Sequence, residues 1–283
     1  MNIRLYGYGC IGRATGRLLT EAGHTVQILD PAYIDASIRK WAVESTTPDA
    51  VVICVPGPEK NGRIDMSIVE GIIAEQLDVP IFVRTTAPVG WCRRQNRPNL
   101  VYWPSFARER YAYDDEMDEN FRATRTIGVS GERAEGLSQP PVLIPMEVAI
   151  VPYEMAELAK LATNAFLAMS VSFANEMTHL CAEDSKMAGG AGMWHYVSAI
   201  LRRDSRIGEN AYLDANSRGW GGKCLPKDLH ELINGYEPLP GGASVLRETD
   251  LVNEAVKGVR VVGQVDPLWG MFASMPSPQA PWP

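Results

Sequence analysis

The chain has 283 residues, 46% of them hydrophobic and 22% charged, a balance that suits a globular protein long enough for two packed domains. Lys and Arg number 27 against 34 Asp and Glu, a net charge of −7, which argues against a nucleic-acid backbone or an anionic membrane surface as partner. Five scattered cysteines, at 10, 54, 92, 181 and 224, make no disulfide framework and point to a reducing compartment. No apolar run approaches the roughly 18 residues of a membrane span, and the N-terminus enters a strand pattern directly, without the features of a signal peptide. The expectation is a cytoplasmic protein.

In chain order, Ile3–Tyr6 reads as a short strand, followed at once by Gly7-Tyr8-Gly9-Cys10-Ile11-Gly12. Helical spacing then runs to Ala22-Gly23, and a second strand, from His24, ends in Asp30. This is the βαβ dinucleotide fingerprint in its required context. The first glycine makes the tight turn, the second lets a pyrophosphate approach, and the third permits close helix–strand packing. Asp30 would accept hydrogen bonds from the adenosine ribose and repel a 2′-phosphate, favouring NAD, although Arg39 and Lys40 could serve a 2′-phosphate instead. A fully apolar strand, Ala50–Val55, ends at Pro56-Gly57-Pro58, so Val55 and Pro56 fall at the cofactor-facing edge of a parallel sheet. A helix near 66–77 and a strand at 80–84 repeat the alternation, and Thr85-Thr86-Ala87-Pro88-Val89-Gly90 forms a hydroxyl-bearing turn at the same edge. Strands at 99–102 and 125–129 and an apolar stretch at 142–151 complete a first domain, 1–151.

From 152 the texture changes. Glu154 to Glu183 contains neither Pro nor Gly and predicts one helix, on the order of 45 Å long at 1.5 Å per residue. Lys160 and Asn164 lie one turn apart on it, a spacing that serves equally a solvated lysine with a tolerated asparagine and a pair converging on a ligand. Gly189-Gly190 breaks the chain. Helices follow near 192–202, 229–234 and 243–261, making a helical domain over 152–265, and a proline-rich tail occupies 266–283. The fold class is α/β: an N-terminal Rossmann-type doubly wound parallel sheet, then an all-helical domain with a long central helix. Between its helices stands Gly219-Trp220-Gly221-Gly222-Lys223-Cys224-Leu225-Pro226-Lys227-Asp228. Paired glycines let a backbone approach a ligand, and lysines beside a cysteine lower its pKa and favour the nucleophilic thiolate. The same residues also read as a glycine turn followed by a small side chain that packs. Nothing in the sequence clusters as a metal site.

These motifs, in this order, resemble the UDP-glucose/GDP-mannose 6-dehydrogenase family. GYGCIG at 7–12, TTAPVG at 85–90, PSFARE at 104–109, KLATNAFLAMSVSFANEM at 160–177, RIG at 206–208 and GWGGKCLPKD at 219–228 carry the resemblance, over residues 1 to about 260. It implies oxidation of a nucleotide sugar's primary alcohol with NAD. Cys224 corresponds to the nucleophile that captures the aldehyde as a thiohemiacetal. Lys160 and Asn164 correspond to the groups that steady the developing negative charge. Asp228 corresponds to a carboxylate that places water and orients Lys160, and Thr86 to a hydroxyl at the nicotinamide–substrate junction. Phe106, Glu109 and Gly221 correspond to substrate-lining positions. Arg206 matches an arginine that reaches a neighbouring subunit, which implies a homodimer on the long helix. Two departures stand out. Ser105 replaces a family glutamate used in acid/base catalysis, which points to arrest after one two-electron step. The family's C-terminal nucleotide-binding domain has no counterpart here. Two alternatives stay open: an oxidoreductase of a smaller hydroxy or carbonyl compound, and a non-catalytic NAD-binding regulatory paralogue.

Overall fold

The computed structural model describes residues 1–32, 47–75, 78–117, 126–129, 143, 149–183, 193–209, 211–215, 218–237, 239 and 244–262. Arg39, Lys40, Gly189-Gly190 and the tail 266–283 lie outside them. The described residues form two compact units: Met1–Thr163 with His230–Gly235, and Asn164–Leu229 with the chain from Tyr236.

Unit 1 is built on a seven-stranded sheet. In chain order its strands are β1 (Asn2–Tyr6), β2 (Thr25–Leu29), β3 (Ala50–Ile53), β6 (Ile81–Val83), β7 (Leu100–Tyr102), β8 (Thr126–Val129) and β9 (Ala149–Pro152); β4 (Glu59–Lys60) and β5 (Arg63–Ile64) form a separate hairpin. The spatial order is β2-β1-β3-β6-β7-β8-β9. Every neighbouring pair is parallel except β7 and β8, so the sheet is mostly rather than wholly parallel. β3, β6 and β7 are buried at every residue, as strands covered on both faces must be. Ile3 pairs with Val26 on one side and Ala50 on the other, which puts β1 at the point where the winding direction reverses. Ligands of open α/β sheets bind beyond the strand ends at such a reversal. The core beneath joins Ile3, Leu5, Leu18, Leu19, Val52 and Val101, with Phe82 set edge-on to Trp103 at 6.3 Å. Helices α1 (Cys10–Glu21), α2 (Ser67–Glu75), α3 (Trp91–Arg94) and α4 (Ala112–Met117) follow β1, β5, β6 and β7.

Helix α5, Tyr153–Glu183, is unbroken for 31 residues, as its lack of Gly and Pro predicts. Its first residues belong to unit 1 and those from Asn164 to unit 2. Unit 2 adds α6 (Met193–Arg202), the start of α7 (Leu225–Gly235) and α8 (Val245–Val262); α5, α6 and the segment after α6 share a core of Ala174, Cys181, Trp194 and Leu213. The Trp194 indole N–H donates to the Leu213 carbonyl at 2.9 Å, tying the segment after α6 to its core. α7 begins four residues earlier than the periodicity predicts, with Pro226 in its first turn, where a missing N–H costs nothing.

Candidate active site

The glycine loop of unit 1 has three non-equivalent glycines. Gly7 adopts φ +84°, and a Cβ there would lie 2.8 Å from the Cys54 carbonyl. A Cβ on Gly12 would lie 2.1 Å from the Gly7 oxygen. Gly9, by contrast, faces open space and heads α1 with no side-chain cap, at the helix end whose dipole favours an anion. The loop therefore fits a dinucleotide: two glycines are needed by the protein and the third is left for a pyrophosphate. Gly9→Ala is expected to leave the unfolding midpoint unchanged while weakening NAD binding by about tenfold or more. Gly12→Ala is expected to destabilise unit 1 by about 3 kcal/mol, since overpacking meets backbone rather than a movable side chain; calorimetry with and without NAD separates the two.

Asp30 braces this loop as well as ending β2. One carboxylate oxygen accepts from the Tyr8 N–H at 2.6 Å and the other from the Ala32 N–H at 2.8 Å. Each oxygen keeps a second lone pair for a ribose hydroxyl. Burial pushes the Cys10 thiol up, and the Glu109 carboxylate adds to the shift. Burial likewise raises Cys54, below the loop, to about 11.

The TTAPVG turn is pinned on both sides of Thr86. Thr85 Oγ1 donates to the Val55 carbonyl at 2.7 Å, and the Ala87 N–H donates to the Tyr102 hydroxyl at 3.2 Å. Further on, the fully buried Glu157 of α5 accepts from the N–H groups of Gly90 (2.5 Å) and Cys92 (2.8 Å). Burial raises the Glu157 pKa, and these two N–H groups oppose the rise. Thr86 is left half-exposed between fixed neighbours, and Pro56 lies exposed one residue beyond the Val55 carbonyl.

One turn past Glu157, the buried Lys160 places its ammonium 5.5 Å from the centre of the Phe106 ring, a cation–π contact. Beside Phe106, buried Ser105 donates to Glu116 Oε1 at 2.9 Å, and Glu116 pairs with Arg84 in an ion pair removed from solvent. The Arg84 guanidinium lies 4.0 Å from the centre of the Trp103 ring.

In unit 2, Asn164 Nδ2 donates to Asp228 Oδ2 at 2.5 Å, and the Lys227 ammonium pairs with the other Asp228 oxygen. Asp228 is fully buried in the first turn of α7, its N–H donating to the Cys224 carbonyl at 3.0 Å. Cys224 is the N-cap residue of that helix and is exposed, as are Gly221, Gly222 and Lys223. Of the two lysines flanking Cys224 in sequence, Lys227 is thus committed to Asp228. Arg206 is exposed and turned onto Asp204, with Nε 2.9 Å from Oδ1.

The predicted residues therefore fall into two groups. Gly7–Gly12, Asp30, Val55, Thr86, Phe106 and Lys160 belong to unit 1; Asn164, Arg206, Gly221, Cys224 and Asp228 belong to unit 2. Glu157, Glu116 and Asn253 escaped sequence reasoning. Glu157 had a signal, an acid one turn before Lys160 on the same face as Leu161 and Asn164. Among the described residues no group of three or more potential metal ligands gathers, and no helix is long and apolar enough to cross a membrane.

Residues 154–255 match the central domain of the UDP-glucose/GDP-mannose dehydrogenase family. The UDP-glucose 6-dehydrogenase of Rickettsia conorii is 28% identical over 280 residues, covering 83% of this chain and 62% of its own length. The chain thus spans about three-fifths of that relative. The UDP-glucose 6-dehydrogenase TuaD of Bacillus subtilis is 33% identical over 210 residues, 65% of this chain and 42% of its own. A UDP-glucose dehydrogenase from Pyrobaculum islandicum shares the fold with a TM-score of 0.70 at 24% identity, over 90% of this chain and 68% of that one. A 3-hydroxyisobutyrate dehydrogenase from Mycobacterium tuberculosis shares it at 0.52 and 18% identity, over 96% and 91%. After an open, mostly parallel α/β sheet, the chain thus continues into a stretch similar to the central domain of the UDP-glucose/GDP-mannose dehydrogenase family, in a length shorter than the relatives it matches.

Proposed function

We propose that this protein is a cytoplasmic NAD-dependent dehydrogenase that oxidises the primary alcohol of a nucleotide sugar or a nucleotide-like substrate. The observation that carries the reading is the first turn of α7. There an exposed Cys224 precedes a fully buried Asp228 that Asn164 and Lys227 hold in place. NAD, bound on the Gly7–Gly12 loop with its ribose on Asp30, supplies a hydride acceptor when present. The chain's own residues do the rest. Lys160 and the Asn164 amide steady the substrate oxygen as its proton passes to solvent water. The Cys224 thiolate then adds to the aldehyde carbon, giving a thiohemiacetal whose C–H is poised for a second oxidation to a thioester. Water would hydrolyse that thioester to acid. Ser105 offers no carboxylate of its own for that water, which favours release after the first two electrons. NADH absorbance against UDP-glucose, UDP-N-acetylhexosamines and GDP-mannose tests the proposal: one NADH per substrate supports aldehyde release, two support the full oxidation, and none with any of them rejects it.

The alternative reading, an oxidoreductase of a smaller hydroxy or carbonyl compound, makes its own prediction. Under it, Cys224→Ala costs little activity.

We also infer a homodimer through α5. At 3.6 residues per turn, Met155, Leu158, Phe166, Phe173 and Leu180 share one stripe of the helix, and all are exposed, Phe166 by 63%. A run of large apolar side chains of this kind marks an association surface. Phe166→Glu is expected to yield monomers in sedimentation velocity, with NAD affinity retained. None of the five cysteines is in a disulfide, which suits a reducing compartment.

A further inference from the structure

In unit 2 the exposed residues Gly221, Gly222, Lys223 and Cys224 run between two buried side chains, Trp220 and Asp228. The Asp228 end is fixed by α7. The Trp220 end is fixed from α8. Asn253, fully buried, grips both polar groups of Trp220's backbone: its Oδ1 accepts from the Trp220 N–H at 2.7 Å, and its Nδ2 donates to the Trp220 carbonyl at 3.2 Å. The approach demands glycine before it, for Gly219 has φ +69° and a Cβ there would lie 2.6 Å from Asn253 Oδ1. The ring is held independently. The Trp220 indole N–H donates to Ser172 Oγ at 2.8 Å, and the Ser172 hydroxyl donates to the Thr249 carbonyl at 2.9 Å.

We propose that Asn253 is a positioning residue for Cys224: by closing two hydrogen bonds on the Trp220 backbone, it fixes the point from which the exposed segment reaches the sulfur. The inference rests on the reading of Cys224 as nucleophile. With the Trp220 end freed, Cys224 keeps its carbonyl bond to the Asp228 N–H, but the three residues before it, each spanning about 3.3–3.6 Å, no longer set its φ or the direction in which its sulfur points. Attack on a carbonyl carbon tolerates little such freedom, since a misplacement of about 1 Å can cost 10²-fold in rate. A glycine-rich segment has no stiffness of its own to supply that precision. The amide of Asn253 supplies it because two bonds to one residue fix orientation as well as position.

Hydrogen–deuterium exchange on the full chain tests this, with variants at Asn253 and Ser172. In Asn253→Ala, amides of 221–224 are expected to exchange at least tenfold faster than in the parent, with those of α1 and α5 unchanged. Ser172→Ala, which frees only the ring, produces a smaller rise. Asn253→Asp keeps the acceptor but turns the donor into a carboxylate facing a carbonyl. Protonation restores the donor, so its excess exchange over the parent shrinks as pH falls, a signature that a merely structural role would not produce. Where NADH formation is measurable, kcat falls tenfold or more in Asn253→Ala with the Kd for NAD unchanged. Unchanged exchange at 221–224 in both Asn253 variants, an equal rise throughout the chain, or a pH-independent Asn253→Asp excess overturns the proposal. If Asn253→Ala does not accumulate folded, Asn253→Asp carries the test. Activity of Cys224→Ser judges the nucleophile separately, so either idea can fail alone.

Discussion

Cys224→Ser is expected to bind NAD as tightly as the parent chain and to form no carboxylate from a nucleotide sugar. A serine hydroxyl does not ionise near neutral pH without an adjacent base. Loss of the nucleophile therefore stops the second oxidation by on the order of 10³-fold or more, the scale seen when a covalent catalyst is removed. Under the proposed roles of Lys160 and Asn164 the first hydride transfer does not need the thiol, so NADH formation up to one equivalent survives if the aldehyde can depart. The change is conservative and exposed, and it should alter stability by less than about 0.5 kcal/mol. Mass spectrometry of the product, beside NADH stoichiometry, separates the outcomes. If the parent forms carboxylate, its release by the variant at the same rate removes Cys224 from the chemistry. If the parent stops at the aldehyde, the readout is a substrate adduct on the parent protein, and its equal presence on the variant removes Cys224. Cys224→Ala with nearly full turnover of a small hydroxy acid, and none of a nucleotide sugar, moves the alternative substrate class ahead.

The parts of the molecule that were legible beforehand are those whose cause is local. Gly7 and Gly12 are dictated by backbone atoms a few residues away or by the neighbouring strand, so the fingerprint in its strand–helix–strand setting suffices to find them. α5 follows from thirty residues without Gly or Pro. The start of α7 was legible too, in Pro226, but periodicity alone placed it four residues late. What escaped depends on partners distant in sequence. The grip of Glu157 on Gly90 joins residues 67 apart, and that of Asn253 on Trp220 residues 33 apart. Neither leaves a spacing to read. The antiparallel β7–β8 pair is similarly silent, since an apolar strand carries no mark of its direction.

Ser105→Glu, which the resemblance recommends as a gain of function, is expected instead to destabilise unit 1 by about 3 kcal/mol. Ser105 is buried and its hydroxyl is bound to Glu116, which already meets the charge of Arg84. A second carboxylate at this position leaves two anions around one cation. Arg84 does have Nε and Nη1 without acceptors among the described residues, so a new carboxylate can find a donor, but the net charge of the buried group remains −1. The pH dependence follows in sign. An uncompensated buried carboxylate has a folded pKa above its unfolded value near 4.3. The penalty is therefore absent below the unfolded pKa and grows as pH rises through the folded one. Thermal unfolding of parent and variant should converge in acid and part towards neutrality. The same reasoning specifies the remedy. Combining Ser105→Glu with Glu116→Gln restores one anion per cation, and most of the lost stability should return. It also moves the carboxylate to the residue next to Phe106, on whose ring the Lys160 ammonium sits. Only this double variant is a fair test of whether a carboxylate at 105 advances oxidation from one NADH per substrate to two. If the single variant is as stable as the parent at neutral pH, Arg84 and Glu116 are not the closed pair described here, and Ser105 is open to a charge.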